Sequence, residues 1–478
     1  MSWWLLLGGL AHAERPTDGG SYAFDDSDVV ATYDGPDGLI RVTYSADGPN
    51  AVRAGDDDGS GVPDFVEEVA ASAELVLEVY EANGFRLPLS EADMGLDELG
   101  GSPAFDVYLV DFAGVADGWF STDRCRGGVC SGYFVMENDF RGYGYPSISE
   151  AIRVLTSHEL FHAVQAAYNG YEPDWLREGT AVWAEYLFDP ENQDFIWFSD
   201  AYLEDAGRSL NEPPAGAISS FTYGTALFWA YLVERFGVAS AVTLQEQVAD
   251  RDEDELLNAV EDTITAYGGD LAEEWVNFAR WNLATGDRAG LAPSYPFAAE
   301  LEGVAAEGEG ASVMDLNRFY PLATTYYRLD HDGGALYFAT GDDPTGLVFS
   351  LHPVAGGASD GPVEEPAVTW APDAPGVEAL GELERGGYWL VGTYPQQAEN
   401  SVKIELCLGS EADVAACLAA ADTADTGDTG DTGDALDTGK AGGGGCACAS
   451  TGAPHQAWPA LLMLSVALTR RPGRRRRA

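Results

Sequence analysis

The alternation of apolar and polar positions changes period several times along this chain, and those changes mark out its elements. Residues 29–47 (VVATYDGPDGLIRVTYSAD) alternate with a period of two on either side of Gly35-Pro36-Asp37-Gly38, which predicts two strands joined by a turn. An acidic loop follows, then helical spacing from about Asp64 to Asn83. Strands are predicted at 105–112 (FDVYLVDF) and 131–138 (SGYFVMEN). Helical spacing returns over about 149–168 and 174–188, again over 221–237, and in two more stretches to about Gly286. Past Gly290 the character changes: ALYFAT, GLVFSLHP, AVTWAP, GYWLVGTY and SVKIELCL, within 315–408, predict a small β-sandwich. The expected fold class is α+β.

A chain of 478 residues suits two folded domains with appendages rather than one core. Acidic residues number 79 against 25 basic ones, a formal charge of −54, with lysine only at Lys403 and Lys440. Such a surface repels phosphate backbones, which argues against nucleic acid as a partner. It suits solubility in salty or calcium-rich surroundings, and a solvated acidic face with no specific partner is preferred over any recognition role. Residues 1–13 form a short apolar run ending in Ala11-His12-Ala13, the small-x-small pattern of a signal-peptidase site, which predicts export. In an exported chain the close pairs Cys125/Cys130 and Cys407/Cys417 predict local disulfides, and no matching CxxC pair points to a structural zinc site.

The motif that carries chemistry is His158-Glu159-Leu160-Phe161-His162. Ile152, Leu155, Phe161 and Val164 give its segment helical spacing; Ser149 is the expected cap and Asn169-Gly170 the expected end. Positions i and i+4 share a helix face, so both imidazoles can reach one ion, while Glu159 can take a proton from a metal-bound water. A catalytic zinc needs a third protein ligand and one open position. The segment 172–186 (EPDWLREGTAVWAEY) offers Glu178 one turn into a helix that Asp174 can cap, with Glu185 two turns further along as second choice or as a partner that orients a histidine.

At this point the sequence resembles the gluzincin branch of the zincin metallopeptidases, in which HExxH is followed by a glutamate ligand on the next helix in a W-x-x-E-G-x-A setting. Trp175, Glu178, Gly179 and Ala181 match that setting. The resemblance covers about 130–240 and implies a zincin-like catalytic domain with zinc on His158, His162 and Glu178, and Glu159 as general base. It also implies an edge strand along which an extended substrate lies; 131–138 is placed to be that strand. Val135-Met136-Glu137-Asn138 is similar to the G-x-M-E-N element of the aminopeptidase gluzincins, without the glycine at the matching place. Tyr223 is the candidate donor to the developing oxyanion, although a core aromatic would look the same.

Asp56 to Glu67 fit a 12-residue calcium loop, with oxygen donors at Asp56, Asp58, Ser60, Asp64 and Glu67, glycine at Gly61 and the Val62 carbonyl between them. Pro63 departs from the EF-hand pattern and no helix is evident before Asp56, so the loop is more similar to single calcium sites of the dockerin or thrombospondin-repeat sort. A plain acidic turn that caps the following helix is the competing reading.

The expected organisation is a signal peptide (1–13), a zincin-like peptidase domain (14–290), a β-sandwich (291–418), a disordered acidic linker around DTGDTGDTGD (419–445) and a C-terminal tail (446–478). The apolar stretch in the tail, about 12 residues, is short of the ~20 that a membrane-spanning helix needs. Its order of Gly/Cys, apolar and arginine-rich segments resembles the C-terminal sorting tails of myxobacterial surface proteins, which implies retention at the cell surface. The expected function is a secreted or surface-anchored zinc metallopeptidase acting on a peptide or protein. The alternatives are a calcium-stabilised adhesin on the same scaffold without turnover, or an aminopeptidase. Other divalent metals can occupy a site of this composition.

Overall fold

A computed structural model describes residues 15–424, except 21, 213–217, 250 and 358–360. The expected signal peptide, most of the expected linker and the C-terminal tail with Cys446 and Cys448 lie outside the described residues. The molecule is of mixed α+β class.

The first layer is a five-stranded sheet in the order β1-β2-β3-β5-β4, from β1 (Val30–Asp34), β2 (Ile40–Ser45), β3 (Phe105–Val110), β4 (Gly118–Arg126) and β5 (Val129–Glu137). β3 runs parallel to both β2 and β5, with Val107 opposite Val42 on one side and Phe134 on the other. β4 and β5 form a hairpin whose turn residues Gly127 and Gly128 both have positive φ, as a two-residue turn that follows strand twist requires. The Cys125–Cys130 disulfide closes that hairpin. The expectation that 131–138 is the edge strand is therefore corrected: β5 is internal and β4 is the edge.

Helices cover this sheet. α1 (Asp64–Ala82), α2 (Ile148–Ala166) and α3 (Asp174–Phe188) match the predicted segments within two residues at each end. They are followed by α4 (Gln193–Glu204), α5 (Ser220–Gly224), α6 (Ala226–Phe236), α7 (Ala239–Val248), α8 (Leu256–Ala266) and α9 (Leu271–Leu283). The single helix expected over 221–237 is two, interrupted at Thr225, whose hydroxyl donates to the carbonyls of Trp175 and Thr222. α2 lies at the centre and is buried almost all round, not on one face. Tyr80, Phe85, Phe161 and Trp183 pack edge-on around it, and the Tyr80 hydroxyl donates to the Ser157 carbonyl at 2.8 Å.

The second half forms two sheets. β11 (Val368–Trp370), β10 (Val348–Pro353), β13 (Gly386–Thr393), β8 (Thr324–His331) and β6 (Gly308–Gly310) make one. β12 (Gly376–Leu383), β9 (Gly334–Thr340), β14 (Val402–Gly409) and β7 (Val313–Phe319) make the other. Their facing apolar residues, among them Leu329, Phe338, Phe349, Leu390, Ile404 and Leu406, form a shared core. The outer face of the first sheet is not solvated. Tyr326, Trp389 and Val391 join the helical core, and the Tyr326 hydroxyl donates to the Ala279 carbonyl of α9. α10 (Glu411–Ala424) follows, tied back by the Cys407–Cys417 disulfide. It runs past 418 into the segment expected to be linker, because AACLAAAD is a strong helix former before the Asp-Thr-Gly repeats begin. Among the described residues no helix is long and apolar enough to cross a membrane.

One buried acid in this fold gives a pH-dependent prediction. Glu172, between α2 and α3, is 4% exposed, and neither carboxyl oxygen has a hydrogen-bond partner. Burial pushes its pKa from 4.5 up to about 8, against the opposing field of Arg177. Its folded value lies above the unfolded one, so its contribution is whole below about pH 4 and lost as pH rises to about 8. The loss amounts to roughly 3–5 kcal/mol. Glu172→Gln should therefore gain stability over the wild type progressively between pH 5 and 8, read from urea unfolding. An equal difference at both pH values would show that Glu172 is not held neutral.

Candidate metal centre

Ser147, not Ser149, starts the central helix: its Oγ accepts the Glu150 amide at 3.0 Å, and Ser147 to Glu150 has the spacing of a capping box. Three and four turns on, the helix carries His158 and His162. Their Nε2 atoms lie 3.1 Å apart. Glu178 of α3 brings Oε2 to 3.3 Å from the first and 3.4 Å from the second. α3 begins at Asp174 with Pro173 in the capping position, so Asp174 is not the cap but bonds Arg177.

What places Glu178 is the close approach of α3 to the α5–α6 break. A Cβ on Gly179 would lie 2.0 Å from the Thr225 hydroxyl and 2.7 Å from Trp229 Nε1, so only glycine fits. Trp175 stacks on Trp229 one turn earlier. The W-x-x-E-G spacing is thus a packing requirement of this fold.

Each donor is held from behind. His158 Nδ1 meets Glu185 Oε1 at 2.7 Å, the place of a partner that orients a histidine, and Glu185 is not one of the group of three donors. Asn192 Nδ2 donates to the other Glu185 oxygen at 2.9 Å. His162 Nδ1 meets Gln165 Oε1 at 2.7 Å, and Gln165 is fixed by bonds to the Arg177 carbonyl and Thr180. Arg177 donates to Glu178 Oε1 at 3.1 and 3.2 Å, leaving Oε2 to face the imidazoles.

These residues fit a small divalent ion. A tetrahedral ion with bonds of roughly 2.0–2.1 Å sets its ligand atoms about 3.3–3.4 Å apart; the two contacts of Glu178 fall at that spacing, and the imidazole pair, at 3.1 Å, lies just inside it. The charge also calls for a cation. Burial disfavours charge on His158, yet the bonds to Glu178 and Glu185 raise its pKa well above the usual imidazole value. Burial opposes charge on Glu178 too, but the two histidines and Arg177 hold it well below the carboxylate range.

Glu159 stands beside the cluster and points into a cleft of about 200 Å³. It is 5% exposed, its Oε2 has no partner, and burial pushes its pKa up to about 8. Glu159 Oε1 rests against Gly118, where a Cβ would lie only 2.6 Å away, so β4 passes directly over the acid. Trp119, Leu155, Phe198 and Tyr223 form walls. Tyr223 is half-buried and stacks on Phe198, with its ring centre 6.1 Å from that of His158. It lines the cleft and also packs against the helical core.

Sequence reasoning missed Gln165, Arg177, Asn192, Asp117, Gly118, Tyr145 and Asp194. The Gly127-Gly128 turn before a predicted strand was the signal for a hairpin, and with it for the strand that bears Gly118. Glu137, of the M-E-N element, lies elsewhere: its carboxylate accepts from the Phe112 amide and the Tyr143 hydroxyl, outside the cleft lining.

In the calcium loop, Asp56, Asp58 and Asp64 bring one oxygen each within 4.8 Å of one another. Glu67 stands on the first turn of α1 and is not one of that group of three. Ser60 Oγ and the Val62 carbonyl are 3.3 Å apart and bonded to each other. Loop amides of Gly59, Ser60 and Gly61 donate to Asp56, so the turn is also self-satisfied.

No protein-family profile matches this chain, and no curated protein matches it in sequence.

Proposed function

We propose that the chain is a zinc-dependent peptidase of the zincin type, with His158, His162 and Glu178 as metal ligands and Glu159 as general base. The observation that carries this reading is the set of three donor atoms close to tetrahedral spacing, opening on a cleft beside a buried carboxylate with a free oxygen. Zinc bound there would supply a water of pKa about 7 and a Lewis acid for the scissile carbonyl. Glu159 accepts the proton from the attacking water and returns it to the leaving amine. Tyr223, on the same cleft, donates to the oxygen that gains charge. β4 offers a free strand edge along which an extended peptide pairs its backbone. Two disulfides suit an oxidising compartment and agree with export. A structural calcium ion on Asp56, Asp58 and Asp64 belongs to the same reading.

Elemental analysis of the purified protein tests the metals directly. About one zinc per chain, lost in His162→Ala, is expected, with calcium lost in Asp58→Ala. A folded, calcium-replete protein that holds no zinc would end the peptidase reading.

Gly118 gives a second check. Gly118→Ala should keep zinc but lower kcat roughly 10–100-fold, because the new methyl displaces the Glu159 carboxylate. An unchanged kcat would mean that β4 does not position the base.

A further inference from the structure

Five carboxylates line the cleft, those of Asp117, Glu159, Glu178, Glu185 and Asp194, and no lysine or arginine does. Three have work already: Glu178 faces the imidazoles, Glu185 holds His158, and Glu159 is the base. Asp117 and Asp194 are left over. We propose that they bind a cationic group of the substrate, an ammonium or guanidinium, and so set its specificity. This rests on the peptidase reading and names its substrate class.

Both acids are built into the site. The Tyr145 hydroxyl donates to Asp117 Oδ2 at 2.6 Å, which fixes that carboxylate in the bend just before β4. Asp194 sits in the first turn of α4. Asn192 accepts its amide at 2.8 Å while donating to Glu185, so Asp194 is tied to the same frame as the metal ligands. No donor reaches the Asp194 carboxylate among the described residues. An acid in the first turn of a helix is often there only for the helix dipole. That does not account for Asp194, whose side chain lines the cleft beside the three donors. A second observation points the same way: Glu159 Oε2, on a side chain 5% exposed, faces the same space without a partner. The cleft lining thus carries five carboxylates and no lysine or arginine, and a substrate cation would meet charge-assisted bonds at Asp117 and Asp194. Trp119 and the stacked pair Phe198–Tyr223 would cover the aliphatic stem of a lysine or arginine.

The cation can come from a side chain or from a free peptide amino terminus, and the test separates the two. N-acetylated peptides carrying lysine or norleucine at each position around the scissile bond are compared with their free-amine counterparts. One lysine position, or the free amine, should raise kcat/KM on the order of 10–100-fold over its neutral match. That ratio should fall toward one in Asp194→Asn and in Asp117→Asn. The same peptides, labelled, are bound to zinc-loaded Glu159→Gln protein, which reads recognition without turnover. Binding that favours lysine and depends on Asp194, in a protein that cleaves nothing, would keep this subsite and end the peptidase reading. Cleavage with no preference for a cation would do the reverse. A second zinc per chain that vanishes in Asp194→Asn would overturn the substrate reading of these two acids.

Discussion

Replacement of Glu159 by glutamine is expected to leave zinc bound and to lower turnover at least ~10³-fold. The side chain is not among the three donors that come together, so metal content should match the wild type. Glutamine keeps the shape that fits against Gly118 and Leu155 but cannot take a proton. A positioned base contributes typically 10²–10⁴-fold, and here the carboxyl is buried beside the three donors with Oε2 left without a partner. KM should change little, since the loss falls on the chemical step. Glu159→Asp should fall between the two, its carboxylate drawn back by one methylene. The measurement is kcat on a cleaved peptide with zinc counted in the same sample. Activity within tenfold of the wild type would remove Glu159 from the reaction.

The parts of this site that were legible in the sequence are those set by spacing along one helix. His158 and His162 share a face because four residues make a turn, and the short connection to α3 puts Glu178 beside them. Glu185 was assignable only to two roles, because seven residues on the same helix fix its face and not its reach. The missed residues come from the sheet and from α4. Asp117 and Gly118 stand just before and at the start of an edge strand with polar and charged positions along it, so its hydrophobic period is weak. Asp194 and Asn192 lie on a segment whose approach to α3 depends on aromatic packing among Tyr186, Phe195 and Phe297, far apart in sequence. The edge strand was misassigned for a related reason. β5 is the more apolar of the hairpin pair because both its sides are bonded, and apolarity alone does not mark an edge. The expected boundary near 290 marks a real change from helix to strand, but not a solvated linker: Trp275 Nε1 donates to the Ala323 carbonyl and Arg288 lies over Trp389.

Arg15→Met is expected to lower stability by about 3–5 kcal/mol at pH 7, the usual cost of leaving buried charges without their partner. Arg15 is 1% exposed and meets three buried acids. Its Nε and Nη2 reach Asp123 at 3.1 and 2.7 Å, Nη2 reaches Glu91 at 2.7 Å, and Nη1 bonds Asp106 and the Tyr108 hydroxyl. The Tyr133 ring lies 5.0 Å from the guanidinium. Methionine fills part of the volume but answers none of this charge, and lysine would serve poorly because its single point charge cannot span three carboxylates. Burial pushes Asp106 up to about 6 even with Arg15 in place, so without the guanidinium its acid form is favoured further. That fixes the sign of the pH dependence. The variant's folded state takes up protons more readily than its unfolded state, and the deficit against the wild type should be smaller at pH 5 than at pH 7. Urea unfolding at both pH values reads the difference. A loss under about 1 kcal/mol, or one that does not shrink at pH 5, would mean that water reaches these acids and that Arg15 is not what holds the N-terminal segment to the sheet.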